Sequence, residues 1–552
     1  MKPVVNIDNK LQAAFEYFQK GNLEQAELAC KDILQLQPDN SDVLHLLGVI
    51  SYQQGKHDLA VQYINKSIEV DPCNASAYYN LGTVFRENAQ LDEAVDSYKK
   101  AINIDPANAA SYNNLGIALK EKGLIEEAIS CYQKALELNP DMIAVYYNMG
   151  SISQEKGQFD DALSYYGRAA ELDNRNPAVH NSLGLVLKEK GLLDEAVSHY
   201  QKAVEYEPDN AAFHNNLGIA LKEKGRLDEA VVHLEKSFDI EPNDTALNQI
   251  FEISYLILRK GDLQKGWSLY WRFNDSYWQK NIPAKPIWNG SDIQGSTIVI
   301  QSDAGFGDVI QYIRYAPLVA ERGAKVILNC QKEIVSLLKN VKGLTTVVTD
   351  IPLSQFDLFI PIRRLPLVFE TKLETIPSEV PYIKANPELV RKWKEKVHSE
   401  NGKLKVGLVW AAGHGDSNRS CPLSLFAPLT SLQDVTFYSL QVGKDADGAL
   451  NPPEGMKLID YTEEIKDFSY TAAIIENLDL TISVDTAVAH VAGAMGKPVW
   501  NLLPHIVDSR WLLEREDSPW YPTMKLFRQP STGDWESVIR RVSESLKALV
   551  CL

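Results

Sequence analysis

The 552-residue sequence is too long for one small domain, and its 45% apolar and 23% charged composition excludes wholesale disorder and low-complexity architectures. Asp and Glu (73) outnumber Lys and Arg (56), and a net charge of −17 argues against a nucleic-acid partner. The cysteines at 30, 73, 131, 330, 421 and 551 lie far apart with no CxxC pair, so neither a zinc site nor a disulfide framework is expected. The opening MKPVVNIDNKLQAAF has no apolar core ending in a cleavage site, and no run of 18 apolar residues occurs. The expectation is a soluble, cytoplasmic protein without a transmembrane segment.

The first half is periodic. Gly48, Gly82, Gly116, Gly150, Gly184 and Gly218 are spaced by 34 residues, as are Ala60, Ala94, Ala128, Ala162, Ala196 and Ala230. Pro72, Pro106, Pro140, Pro208 and Pro242 keep the same step, with Asn174 in place of one of them. Within 75–108, Tyr78, Leu81, Gly82 and Phe85 share one helical face, and Ala94, Tyr98 and Ala101 share a face of a second helix. Pro106 lacks an amide hydrogen and closes the unit. The pattern predicts helix pairs held close by small residues.

At these signature positions the sequence resembles the tetratricopeptide repeat family, over about seven repeats, with a weaker one before residue 41 and a degenerate unit near 247–275 as a cap. Such a stack is expected to form a superhelix with a groove, here assigned to 1–275. Asn80, Asn114, Asn148 and Asn216 recur at one position, with Ser182 interrupting, and an amide suits the backbone of an extended peptide acceptor. The series is similar to the asparagine ladder of O-linked N-acetylglucosamine transferases. The alternative is that these residues cap or solvate the first helix. Lys120, Lys188 and Lys222 are each followed by Glu and read as a solvated face. His180 with His214, and His199 with His233, read as repeat positions and not as metal ligands.

From 276 the period is lost in a segment rich in Pro, Gly and Ser, and strands begin to alternate with helices. STIVIQS, KVILNC, TTVVT and FDLFI, and later KVGLVW, VTFYSLQ, DLTISVD and KPVWNLL, predict two parallel Rossmann-like halves at 276–385 and 386–552 with a cleft between them. Asp303-Ala304-Gly305-Phe306-Gly307-Asp308 follows the first strand, where glycines admit a close approach to the backbone. Ile310 stands where a dinucleotide fingerprint needs glycine, which disfavours NAD. Asp485-Thr486-Ala487-Val488-Ala489-His490 runs from a strand end into a helix, whose amino end suits a diphosphate. Plain N-capping by Asp485 and Thr486, and a merely packed His490, are the alternatives.

Together these elements resemble the heptosyltransferase-type glycosyltransferases of family nine, over about residues 290–545. The resemblance implies an all-α superhelix followed by an α/β GT-B fold. Gly307-Asp308 matches that family's catalytic GD element, and Asp485-Thr486 with His490 its donor motif, although Ala487 replaces the usual glycine. Arg419 and Ser420 stand where the family holds a basic residue against the diphosphate. On this resemblance Asp308 is the base, or else a helix-capping carboxylate. The donor contacts expected are Gly305, Gly307, Arg419, Ser420, Asp485, Thr486, Ala487, Val488 and His490, while the amide ladder of Asn80, Asn114, Asn148 and Asn216 is expected to hold the acceptor. No metal is expected, because the donor-side groups can neutralise the leaving group themselves, and Asp445-Ala446-Asp447 in its polar loop reads as a solvated turn. GWSLYWRF, WNGSDIQG, RWLLEREDSPWYP and LFRQ further resemble a bacterial group of repeat-bearing glycosyltransferases. The implied activity is transfer of a sugar from a nucleotide sugar to Ser or Thr of a polypeptide. A noncatalytic adaptor, or a transferase acting on a glycan or lipid, are the competing readings.

Overall fold

The computed structural model describes residues 7–281, 285–302, 304–398, 404–413, 418–432 and 434–550, and divides into two compact units, Met1–Ala246 and Leu247–Leu552. In the first unit the repeat period becomes seven helix pairs among the described residues. They are α1 (Ile7–Gln19) with α2 (Leu23–Leu34), α3 (Ser41–Gln53) with α4 (His57–Val70), α5 (Ala75–Glu87) with α6 (Leu91–Ile104), and α7 (Ala109–Glu121) with α8 (Ile125–Leu138). Then come α9 (Ile143–Glu155) with α10 (Phe159–Leu172), α11 (Pro177–Glu189) with α12 (Leu193–Tyr206), and α13 (Ala211–Glu223) with α14 (Leu227–Ile240).

Each feature of the repeat has a local cause. The first helices start at Asn40, Asn74, Asn108, Asn176 and Asn210, whose side-chain oxygens accept amide hydrogens of the first turn. The periodic glycines face a large residue on the second helix: a Cβ on Gly116 would stand 2.6 Å from the Tyr132 ring, and Gly82, Gly150 and Gly184 meet Tyr98, Tyr166 and Tyr200 in the same way. Successive first helices touch one another, α3 with α5, α5 with α7 and α7 with α9, which sets them on the inner side of the stack's curvature.

Ion pairs bridge neighbouring pairs at the same period: Lys122 with Asp92, Lys156 with Glu126, Lys190 with Asp160 and Lys224 with Asp194. Lys120 joins Glu155 at 2.7 Å and Lys188 faces Glu223 at 3.7 Å, so these lysines are tied across repeats. His180 and His199 bring their Nδ1 atoms to 3.0 Å, and His214 and His233 repeat the arrangement. Burial pulls His199 down to about 4, with the neighbouring His180 adding to the effect.

The second unit opens with the end of α15 (Asp244–Arg259) and with α16 (Leu263–Asn281). This boundary lies ahead of the one read at 275. Leu258, Leu263, Trp267 and Trp271 share a hydrophobic core with Ile310 and Ile313, so the degenerate helix pair belongs to the α/β unit. Residues 282–284 of the compositional boundary lie outside the described residues.

One sheet is built from β1 (Thr297–Gln301), β2 (Lys325–Asn329), β3 (Thr346–Val348) and β4 (Leu358–Pro361), in the order β3-β2-β1-β4, all parallel. Its helices are α17 (Phe306–Tyr312), α18 (Ala316–Ala320), α19 (Lys332–Leu338) and α20 (Leu365–Val368). After α21 (Pro387–Val397) a second parallel sheet follows. It comprises β5 (Leu404–Val409), β6 (Val435–Ser439), β7 (Leu458–Asp460), β8 (Leu480–Val484), β9 (Val499–Leu503) and β10 (Met524–Arg528), in the order β10-β9-β8-β5-β6-β7. Counted from its own first strand this is 3-2-1-4-5-6, the order of the doubly wound fold, with its switch point between β5 and β8. Helices α22 (Phe468–Glu476), α23 (Ala487–Ala494) and α24 (Trp535–Val550) cover it.

Two strands escape the sequence reading. Leu458–Asp460 spans three residues and Met524–Arg528 alternates charge with bulk. Between β5 and β6 the chain forms a run of 3₁₀ turns, Leu423–Ser431, in which Pro428 cannot donate a helical hydrogen bond. Among the described residues no helix is long and apolar enough to cross a membrane.

Candidate active site

Both sheets aim their strand ends at one place. β1 leads through Ser302 and Ala304 into α17, with Gly305 as the N-cap residue and Asp308 in the first turn. β8 leads through Asp485 into α23, and β9 into the Ser509–Trp511 turn that carries Arg510. Val309 and Ile313 share one buried cluster with Val488, Ala489 and Val491, so the two halves are joined by a common core. Asp303 and residues 414–417 of the loop after β5 lie outside the described residues.

Asp308 does not cap its own helix. Its Oδ1 accepts a hydrogen bond from Nη2 of Arg510 at 2.5 Å, and the two side chains are only 18% and 12% exposed. Arg510 is held further by Asp508, through Nε to Oδ1 at 2.9 Å and Nη2 to Oδ2 at 3.1 Å. Its Nη1 donates to Gln311 Oε1 at 3.1 Å and lies 3.4 Å from His490 Nε2. Burial works to raise the Asp508 carboxyl, but the charge and hydrogen bonds of Arg510 overturn that and hold it well below the usual carboxylate range.

His490 is neutral. Burial drives its imidazolium form out, and the positive Arg510 acts in the same direction. Arg510 can only donate, so Nε2 is the accepting nitrogen and Nδ1–H donates to the Tyr521 hydroxyl at 2.8 Å. The ring also lies 5.3 Å from that of Trp511. A Cβ on Gly307 would meet His490 Cδ2 at 2.8 Å, so the group that approaches this glycine is the imidazole. A Cβ on Gly305 would meet nothing within 4 Å, and steric demand from the protein does not require that glycine.

Asp485 is buried, which pushes its carboxyl up, while Arg510 and Arg419 pull it back. That coupling brings Arg419, on the far side of the described loop, into the same field. The loop is closed by Cys421 N–H to Trp410 O at 2.8 Å and by the Ala412 amide donating to Ser420 Oγ at 3.0 Å. Thr486 occupies the N-cap position of α23, yet its Oγ1 pairs with Ser483 Oγ at 2.9 Å and makes no capping bond. Plain N-capping is therefore not what the Thr486 side chain does. Val488 turns its side chain into the core, leaving its backbone as the part able to face a ligand, and Ala487 is half-buried against the same core.

Of the residues singled out in the sequence, the structure brings Gly307, Asp308, Asp485 and His490 together, and beside them it places Arg510, Asp508, Gln311 and Tyr521, which the sequence reading did not name. The RWLLEREDSPWYP segment was the available signal, since it begins at Arg510 and contains Tyr521. Leu512 and Glu514, two residues apart just after Arg510, have φ of 57° and 55°, a left-handed conformation unusual for side chains of their size. Asp445 lies at the start of the Ala446–Leu450 turn.

On the repeats, the amide ladder is laterally tied. Asn114 donates to the Tyr79 hydroxyl at 2.9 Å, Asn148 to Asn113 Oδ1 at 3.1 Å and Asn216 to Asn181 Oδ1 at 2.9 Å, each reaching the preceding repeat. Asn80 pairs with His45 Nε2 at 2.7 Å. Capping is the task of the other series, six residues earlier, from Asn74 to Asn210.

Residues 8–250 match the family model described as the Cilia and flagella-associated protein 70 C-terminal domain, a tetratricopeptide family. The first half is a tetratricopeptide repeat array. The chain is 24% identical over 335 residues to Protein FlbA of Caulobacter vibrioides, a match covering 54% of each, so it spans about half the length of that curated relative. Among solved structures, YrrB, described as a TPR protein with an unusual peptide-binding site, is 28% identical with a TM-score of 0.29, over 34% of this chain and 97% of that one. The APC/C hetero-tetramer Cut9-Hcn1 is 19% identical with a TM-score of 0.39, over 46% of this chain and 50% of that one.

Proposed function

We propose that the chain is a metal-independent GT-B glycosyltransferase that transfers a sugar from a nucleotide-sugar donor to Ser or Thr of a polypeptide held by the repeat array. The observation that carries the reading is the Asp308 carboxylate, which projects from the first sheet's α17 onto Arg510 and, through it, toward His490 of the second sheet. Glycosyl transfer to a hydroxyl needs a base beside the acceptor and positive partial charge beside the departing diphosphate. Asp308 supplies the base. Arg419 and the amino end of α23 at Thr486, Ala487 and Val488 offer the charge, with donor contacts completed by Gly305, Gly307, Ser420, Asp485 and His490. The half-buried amides of Asn80, Asn114, Asn148 and Asn216 are the acceptor-holding groups.

The test is direct. Full-length protein is incubated with a panel of nucleotide sugars and Ser/Thr-containing peptides, and peptide masses are read. The expected result is a hexose- or N-acetylhexosamine-sized increment with at least one donor, lost in Asp308→Ala by about 10²-fold or more. Peptide binding without mass increment or donor hydrolysis for any donor would leave an adaptor. Transfer to a free saccharide, and to no peptide, would reassign the acceptor.

A further inference from the structure

We propose that Arg510 is the cation that receives the departing nucleoside diphosphate, and that diphosphate binding takes Arg510 from Asp308 and so releases Asp308 to act as the base. This rests on the transferase reading above and adds the identity of the leaving-group residue and the order of events. In the structure Asp308 Oδ1 accepts the Arg510 hydrogen bond at 2.5 Å, so this oxygen faces the guanidinium and not an acceptor hydroxyl.

The arrangement of donors distinguishes a fixed partner from an exchangeable one. Asp508 grips Arg510 through Nε and Nη2 from two residues away in the same turn, which anchors the guanidinium whether or not Asp308 is present. Asp308 takes a single hydrogen bond from another element, 202 residues distant in sequence. A planar fork with five N–H donors is suited to phosphate oxygens, and a doubly charged diphosphate competes well against one carboxylate.

Gln311 supplies an independent sign of a missing acceptor. Its side chain is fully buried, its Oε1 accepts from Arg510 Nη1, and its Nε2 has no hydrogen-bond partner among the described residues. A buried amide N–H without an acceptor is costly, and a phosphate oxygen, which only accepts, is the complementary group. The Ser509–Trp511 turn and the left-handed Leu512 hold Arg510 in this position.

The step balances as follows. The acceptor hydroxyl oxygen bonds to the anomeric carbon and its proton passes to the Asp308 carboxylate. The bond from that carbon to the phosphate oxygen breaks, and the electron pair leaves with the diphosphate onto the N–H groups of Arg510 and Gln311.

The test measures binding, apart from activity. Calorimetric titration of the full-length chain with UDP, GDP, ADP, CDP and dTDP gives the affinity of the wild type, Arg510→Met and Asp308→Asn. The expected result is binding of at least one of these, weakened about tenfold or more in Arg510→Met and tightened about three- to tenfold in Asp308→Asn, where the competitor for Arg510 has lost its charge. The Asp308→Asn arm stands even where Arg510→Met fails to fold. Wild-type binding with unchanged or weaker affinity in Asp308→Asn overturns this inference alone. Failure of every nucleoside diphosphate to bind any of the three overturns it together with the donor reading.

Discussion

At Gly307 the absent side chain leaves room for His490. Helices α17 and α23 belong to different sheets, and the imidazole packs onto the backbone of the first where a Cβ would come within 2.8 Å of Cδ2 and 3.1 Å of Nε2. His490 has little freedom to retreat, because Tyr521 bonds its Nδ1 and Trp511 lies beside its ring. Gly307→Ala is therefore expected to destabilise the protein by about 1–3 kcal/mol through overpacking, more than the fraction of a kcal/mol that alanine adds in a helix. A chemical-denaturation midpoint measured on the wild type and the variant checks this, and an unchanged midpoint would show that the contact is not tight. Gly305→Ala, whose Cβ would stand in open space, is the internal control. At this scale the motifs were legible because each lies within a few consecutive residues. Arg510 and Gln311 were not, because their meaning comes from partners about two hundred positions away that only the folded chain assembles.

The same argument, applied to the helix pair, gives substitutions of opposite sign. Gly116 in α7 faces Tyr132 of α8, and a methyl there would sit 2.6 Å from a ring carbon that is itself fully buried. Gly167 lies inside α10 with nothing within 4 Å of its would-be Cβ. Gly116→Ala is expected to cost about 1–3 kcal/mol from overpacking, and Gly167→Ala to gain about 0.5–1 kcal/mol by restricting the unfolded chain. Urea-unfolding midpoints of the two variants should move in opposite directions; movement in the same direction would mean that helix propensity, and not the glycine–tyrosine contact, governs the array. The repeat was fully legible as a pattern because each unit buries its small residues against its own partner, so the constraint recurs in sequence at the structural period. Helix pair α15–α16 was misplaced for the converse reason. It keeps repeat-like spacing at Gly266 and Tyr270 but buries Trp267 and Trp271 in the α/β core, and a pattern of small and aromatic residues does not say which neighbour it is for. Short strands such as Leu458–Asp460 were illegible because three residues carry too little alternation to register.

Over the whole chain, charge is divided unevenly between the two units. Residues 1–246 contain 38 acidic and 22 basic side chains, whereas residues 247–552 contain 35 and 34, so nearly all of the net −17 belongs to the repeat array. Many of the array's cations are already engaged. Lys122, Lys156, Lys190 and Lys224 bind acids of the preceding pair, and Lys120 and Lys188 face glutamates of the next. The surplus acids, among them Glu93, Glu127, Asp161 and Glu195, the second members of the doublets that open the second helices, give the array a negative field. On the function proposed above the amide ladder grips peptide backbone without regard to side chains, which leaves selectivity among extended peptides to that field. Peptides selected from a random library on the full-length chain are expected to be enriched in Lys and Arg. Their affinity should fall steeply as salt rises from about 0.1 M to about 1 M, where the Debye length shrinks from roughly 10 Å to 3 Å. Enrichment of neutral or acidic sequences, or affinity indifferent to salt, would show that the surplus charge serves solubility and that the ladder selects by other means.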